Sequence, residues 1–281
     1  MVVNTHDFHT HSNASDGTLP PSELIERAIQ AGVKCLAITD HDSISGYLSI
    51  SNKSLPNDFK LISGVELTCL SGKQMVHVVG LGFDSQNGDL AEHLLDLQRL
   101  RLERARQIAE RLVKQGLPDL LEDALACAEG QVGRPHFAQV MVAKGLVADA
   151  QQAFKKYLGS GKAGDVKVEW PSMERVVQLI NKAGGVSVLA HPTKYNLTLN
   201  KIRYLVAAFA EVGGQAIEMS YPAVTPDQQR SLSFLVQKHD LLISMGSDFH
   251  DPEQHWTDVG RYPEISYDLP SVKQIIDTDN M

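Results

Sequence analysis

The sequence predicts an α/β protein whose framework is a seven-stranded (β/α) barrel. Three observations point there. Short apolar runs alternate with helical patterns along most of the chain, which favours parallel sheets and barrels. Residues of metal-ligand type follow directly on nearly every apolar run, and a (β/α) barrel builds its site from the loops at the carboxyl ends of its strands. One region, 90–164, breaks the rhythm with helical patterns and no convincing strand. A doubly wound open sheet is the competing architecture, but it gathers ligands at one or two switch points instead of at nearly all strand ends.

The first strand carries Asp7-Phe8-His9-Thr10-His11. Side chains alternate along an extended strand, so Asp7, His9 and His11 share one face. The two imidazoles can hold one cation, and Asp7 is expected to accept a hydrogen bond from a ligand imidazole. The turn-forming run Ser12-Asn13-Ala14-Ser15-Asp16-Gly17-Thr18 ends the strand and offers Asp16 as an oxygen ligand. Pro20-Pro21-Ser22-Glu23 opens a helix with Leu24, Ile25, Ala28 and Ile29 on one stripe, closed by Gly32. A strand over 35–39 then runs into Asp40-His41-Asp42, one over 61–65 into Glu66, and one over 75–81 carries His77 within it. Later strands over 186–190, 215–219 and 241–245 deliver His191-Pro192, Ser220-Tyr221 and Gly246-Ser247-Asp248-Phe249-His250. Helices are expected over 172–183, 200–212 and 225–239.

The interrupting region opens with a long helix over 90–115, stopped by Gly116-Leu117-Pro118. Its basic residues Arg99, Arg101, Arg104, Arg106, Arg111 and Lys114 read as a solvated face paired with Glu103 and Glu110. Gly133-Arg134-Pro135-His136 places a proline where a new helix can begin. Arginine and histidine beside a helix amino terminus suit a phosphate; an exposed arginine at an ordinary helix-start turn is the alternative. The expected organisation is a first barrel part over 1–89, a helical cap over 90–164 and a second barrel part over 165–281.

Composition narrows the function. The chain has 281 residues, 43% hydrophobic and 21% charged, an ordinary globular profile. Three scattered cysteines indicate neither a disulfide framework nor a cysteine-rich zinc site, and a reducing cytoplasm fits. No apolar run reaches the ~18 residues of a membrane span, and no secretory pattern opens the chain. A soluble cytoplasmic protein is expected. The formal net charge of −8 argues against gripping long duplex nucleic acid through many phosphate contacts.

The ligand-type residues are His9, His11, Asp16, His41, Glu66, His77, His191, Asp248 and His250, too many for a single ion. Imidazoles and carboxylates without thiolates suit Mn²⁺, Fe²⁺ or Zn²⁺, and several such ions close together form the clamp that phosphate-ester hydrolysis requires.

In order, Asp-x-His-x-His, Thr-Asp-His-Asp, Gly-Val-Glu, the in-strand histidine, Ala-His-Pro and Ser-Asp-Phe-His resemble the PHP (polymerase and histidinol phosphatase) superfamily over about residues 5–261. Gly133-Arg134-Pro135-His136 and Gly246-Ser247-Asp248-Phe249-His250 are similar to its bacterial 3′,5′-nucleotide bisphosphate phosphatases and 5′→3′ exoribonucleases. The resemblance implies a distorted (β/α)₇ barrel with three divalent metal ions, Mn²⁺ foremost. It implies that His9, His11, Glu66 and Asp248 hold one ion, that Glu66 bridges to a second completed by His77 and His191, and that Asp16, His41 and His250 hold the third. It further implies that Arg134 and His136 receive a 5′-phosphate and that Lys194 adds a basic group. The implied substrates are nucleoside bisphosphates and short 5′-phosphorylated RNA. The implied chemistry is in-line attack of a metal-bridging hydroxide on the 3′-phosphorus, with His9, His11, Glu66, His191, Asp248 and His250 around the reacting atoms. Asp248 and His250 are also candidates for assisting the leaving group. Histidinol-phosphate hydrolysis is the alternative within the superfamily, and a non-catalytic, metal-stabilised nucleotide-binding module the alternative outside it.

Overall fold

The computed structural model describes residues 3–278. Strands β1 (His6–Thr10), β2 (Cys35–Ile38) and β3 (Lys60–Ile62) form one parallel sheet in the order β1-β2-β3. Strands β4 (Gly64–Ser71), β5 (Gln74–Leu81), β6 (Val186–Leu189), β7 (Ala216–Ser220) and β8 (Leu242–Met245) form a second sheet in sequence order. In it β6-β7 and β7-β8 run parallel, whereas β4-β5 and β5-β6 run antiparallel.

The α/β class holds; among the described residues the strands pair as these two sheets, and no closed seven-stranded barrel is found. The reason is local. Only Gly72-Lys73 separates the paired ends Ser71 and Gln74, and a two-residue link can join only antiparallel neighbours. Gly72 has φ 59°, a conformation that glycine adopts without a Cβ penalty. The chain also breaks between β3 and β4, where the Ser63 hydroxyl donates to the Phe83 carbonyl at 2.6 Å. At the carboxyl ends the sheets are stitched by isolated parallel bridges, Thr10 to Phe249 and His41 to Glu66.

Helix α1 (Pro21–Ala31) starts on a proline at its first position and stops at Gly32, φ 91°. It buries Leu24, Ile25 and Ala28 against Leu36, Ile38 and Phe249, each large aliphatic contributing about 1.5–3 kcal/mol. After the single-turn α2 (Ser45–Leu48), the chain leaves β5 through α3 (Gly88–Val113), α4 (Leu121–Cys127), α5 (Arg134–Ala143) and α6 (Ala150–Ala153), followed by a π-helical turn over Phe154–Leu158. These helices hold a hydrophobic cluster of their own that includes Ile108, Leu112, Phe137, Met141 and Leu158. Helices α7 (Met173–Lys182), α8 (Leu199–Glu211) and α9 (Pro226–Lys238) return to the sheet, each opened by a hydroxyl cap, Ser172, Thr198 and Thr225. Helix α10 (Val272–Thr278) ends the described chain. No helix among the described residues is long and apolar enough to cross a membrane.

One hydroxyl reinforces the end of the β5-β6 pairing. Tyr195 Oη accepts from the His77 amide and donates to the Ala190 carbonyl, both at 2.9 Å. Tyr195→Phe strands both groups and is expected to cost about 2 kcal/mol. A shift in denaturation midpoint at unchanged slope measures it; a cost below about 0.5 kcal/mol would refute this role.

Candidate metal centre

The carboxyl ends of β1, β2, β6 and β8 converge with inner positions of β4 and β5. β1 presents His9 and His11, the turn after it Asp16, the end of β2 His41, β4 Glu66, β5 His77, the end of β6 His191, and the end of β8 Asp248 and His250. β1 and β8 approach so closely that a Cβ on Gly246 would lie 2.3 Å from that of His9. His191, Asp248 and Asp42 turn the chain with positive φ of 28°, 48° and 52°, a region costing a non-glycine residue about 1–3 kcal/mol. Backbone hydrogen bonds offset that strain. The His191 amide donates to Glu218 at 2.7 Å, the Asp248 amide to the His9 carbonyl at 2.8 Å, and the Asp42 amide to the Glu66 carbonyl at 2.9 Å.

Glu66 is the centre of the cluster. Its Oε2 lies 3.2 Å from His9 Nε2, 3.3 Å from His11 Nε2 and 3.1 Å from His41 Nδ1. Its Oε1 lies 2.9 Å from His77 Nδ1 and 3.0 Å from His191 Nε2. Asp248 Oδ1 lies 3.3 Å from His11 Nε2, and Asp16 Oδ1 lies 3.4 Å from His250 Nε2. Four overlapping sets bring one ligand atom per residue within 4.8 Å of one another: His11-Asp16-His41-His250, His9-His191-Asp248, His9-His11-Glu66 and His41-Glu66-His77. All nine sequence-predicted ligand residues are in these sets, with His11 joining the Asp16 group as well as the Glu66 group.

The donor atoms fit cations. His9 Nε2, both nitrogens of His11, Asp16 Oδ1, His41 Nδ1, Glu66 Oε2 and His191 Nδ1 are buried without a hydrogen-bond partner, each an orphan costing about 1–3 kcal/mol. Burial acts to raise the Glu66 carboxyl, but His41, His77 and His9 outweigh it and hold the group well below the usual carboxylate range. Asp248 and Asp16 are likewise held low against burial, by His9 and by His41. Burial and His250 push His11 down to about 3. Ionised carboxylates and a neutral imidazole are the forms that bind metal.

A surrounding set of groups aims these ligands. Glu218, on β7 and 2% exposed, accepts from His9 Nδ1 at 3.1 Å, which fixes the tautomer so that Nε2, facing Glu66, is the nitrogen a cation would take. Its other oxygen takes the His191 amide. The expectation that Asp7 would accept from an imidazole is corrected: its carboxylate takes the Ser247 amide at 2.8 Å and the Gly260 amide at 2.7 Å. Asp7 lies on the predicted face, yet at the depth where those amides converge, so it holds the turn that carries Asp248. Asp40 does the same for the Asp16 turn, accepting from the Ser12 amide, Ser12 Oγ and Ser15 Oγ within 2.8 Å.

Beside the centre opens a cavity of about 150 Å³, walled by Asp16, His41 and His77 on one side and by Arg101, Arg104 and Arg134 on the other. Arg134 donates to the Leu158 carbonyl at 3.0 Å and stacks on Phe154. Arg104 donates to the Val166 carbonyl at 3.2 Å and forms no ion pair among the described residues. Burial and the neighbouring Arg134 and Arg101 lower it to about 10. His136 is buried outside the cavity lining, where its Nδ1 accepts the Gly133 amide and caps α5. Lys194 Nζ pairs with Asp248 Oδ2 at 2.5 Å. The Tyr221 hydroxyl bonds Thr193 Oγ1 at 2.7 Å. Sequence reasoning missed Glu218 and the roles of Arg101 and Arg104. The last two had a signal: Leu90, Leu94, Leu97, Arg101, Arg104, Ile108 and Leu112 form one buried stripe on α3.

The PHP domain profile matches residues 7–170 of this chain. The 5′-3′ exoribonuclease of Haemophilus influenzae is 39% identical over 260 residues, covering 92% of this chain and 94% of its own. The 3′,5′-nucleoside bisphosphate phosphatase of Chromobacterium violaceum is 36% identical over 268 residues, covering 95% and 93%. A solved structure of an amidohydrolase from Chromobacterium violaceum, with bound sulfate and no metal, superposes with a TM-score of 0.90 at 34% identity, covering 97% and 96%.

Glu218→Gln is expected to weaken binding of a probe ion such as Mn²⁺ by about 10–100-fold, because the amide no longer enforces the His9 tautomer. Calorimetric titration of the metal-stripped chain reads this. An unchanged isotherm would remove Glu218 from that role.

Proposed function

This chain belongs to the PHP domain family, and from that premise we propose that it is a metal-dependent phosphoesterase. It removes the 3′-phosphate of nucleoside 3′,5′-bisphosphates and trims short 5′-phosphorylated RNA in the 5′→3′ direction. The observation that carries this reading is the arginine-walled cavity directly beside the ligand cluster. One phosphoryl group can be anchored there while another, one nucleotide along, reaches the centre. The two relatives are named for an exoribonuclease and a nucleoside bisphosphate phosphatase, and one site would serve both if either a terminal 3′-phosphate leaves or the first phosphodiester is cut.

His9, His11, Asp16, His41, Glu66, His77, His191, Asp248 and His250 would hold up to three divalent ions, Mn²⁺ foremost, with Fe²⁺ and Zn²⁺ as alternatives. Bound there, such ions supply Lewis-acid charge to phosphoryl oxygens and acidify water. The chain's own groups do the rest. Arg104 and Arg134 offer free guanidinium nitrogens to the 5′-phosphate. Lys194, paired with Asp248, would add a positive charge beside the phosphoryl group that reacts. Glu218 keeps the His9 lone pair turned inward. His136 acts through the α5 start that carries Arg134. The helices over 90–164 serve as the cap that brings the arginines to the centre. A histidinol-phosphate phosphatase has no second phosphate for these arginines to meet.

With adenosine 3′,5′-bisphosphate and adenosine 3′-monophosphate as matched substrates of the Mn²⁺-loaded protein, the bisphosphate is expected to be strongly preferred in kcat/KM. Arg134→Ala should reduce that preference by about 10–100-fold, the loss of one charge-assisted contact of about 1.5–3 kcal/mol. Phosphate release measures both. Hydrolysis of histidinol phosphate with neither nucleotide touched would end the nucleotide assignment.

A further inference from the structure

Three arginines wall the cavity, yet their nitrogens are not equally free. Arg101, on the buried stripe of α3, directs Nε and Nη2 to one oxygen of Asp42, at 2.6 and 2.5 Å, and Nη2 also to Thr68 Oγ1 at 3.2 Å. Asp42 is fully buried, and its other oxygen takes the Thr68 amide at 2.7 Å. What remains of Arg101 is Nη1, which points toward Gly133, where a Cβ would lie 3.7 Å away. Arg104 and Arg134, in contrast, each give one nitrogen to a backbone carbonyl.

We propose that Arg101 is a positioning residue of the metal centre and not a ligand of the substrate phosphate: through Asp42 it ties the helical insert to the turn that carries His41. Asp42 follows His41 directly and turns the chain at φ 52°. Its amide donates to the Glu66 carbonyl and its carboxylate grips Thr68, two residues farther along β4. The Asp42 turn thereby fixes His41 against Glu66, whose ligand atoms stand 3.1 Å apart. Arg101 meets this buried carboxylate through two nitrogens, and removing one partner of a buried pair leaves the other uncompensated. Trp170 supports Arg101 and Arg104 together, their guanidinium carbons 5.6 and 5.7 Å from its ring centre. The arginine that holds the metal turn and the one that faces the anion therefore share one platform, so the insert serves both phosphate selection and metal retention.

The division of labour rests on the proposed substrate, whereas the metal arm of the test does not. Arg101→Gln and Arg104→Gln are each stripped, titrated with Mn²⁺ and assayed on the two adenosine phosphates. Removing a positive charge near a cation site would by charge alone tighten metal binding, so a loss reports position. Arg101→Gln is expected to weaken at least one equivalent of Mn²⁺ by about tenfold or more, with the bisphosphate preference kept within a few-fold. Arg104→Gln is expected to keep its metal and lose the preference. In the cycle with Asp42→Asn, the double variant should bind Mn²⁺ better than the two single effects would sum to. Full metal affinity in Arg101→Gln, or loss of its bisphosphate preference, would overturn the proposal. Should Arg101→Gln not fold, Arg101→Lys decides on the same two readouts, because a lysine keeps the charge without the fork. If neither nucleotide is turned over, the substrate reading fails while the metal titration still decides whether Arg101 positions the centre.

Discussion

A carboxylate 1% exposed and faced by five imidazoles is the constraint on which the rest of this structure depends. Isolated in a protein interior, the Glu66 charge would be strongly unfavourable. Among histidines it is instead the group that lets their lone pairs and dipoles converge. The imidazoles of β1 and β5 and those just past β2 and β6 supply this compensation, so the fold is organised around the point where these strands meet β4. The strained turns at Asp42, His191 and Asp248 follow from it. They set His191 beside Glu66, Asp248 beside His9 and His11, and the Asp42 amide on the Glu66 carbonyl.

Much of this was legible in the sequence because ligand chemistry and strand periodicity coincide. His9 and His11 share a face by the period of two, and His41, Glu66, His191, Asp248 and His250 each follow an apolar run. The sheet arrangement was less legible. Apolar runs announce strands but not their partners, and the length of the link at Gly72-Lys73, which makes β4 and β5 antiparallel, outweighs the α/β alternation around it. The supporting carboxylates were hidden for another reason. Asp7 and Glu218 both lie on strands, but which one meets an imidazole depends on depth in the interior, and no one-dimensional pattern encodes depth.

The arginines of α3 show how residue type can mask position. Read by type, Arg101 and Arg104 look solvated; read by phase, they continue the stripe of Leu90, Leu94 and Leu97 into the interior. The stripe turns from apolar to basic where the helix passes from the main core to the cavity. Long arginine stems cover apolar surface and Trp170 beneath them, and only the guanidinium ends reach polar partners.

That substitution of arginine for leucine along one stripe joins two cores with different demands. The sheet core is apolar and needs no charges, and the helical cluster around Phe137 and Met141 is equally apolar. Packing them directly together would close the space beside the ligands. Two buried guanidiniums keep that space polar and open, one neutralised by Asp42 and one without an ion pair among the described residues. A buried cation in that state is unfavourable by itself, as the lowering of Arg104 to about 10 shows. By the same argument, an anion entering the cavity would offset that cost, which is the physical basis of the phosphate reading proposed above.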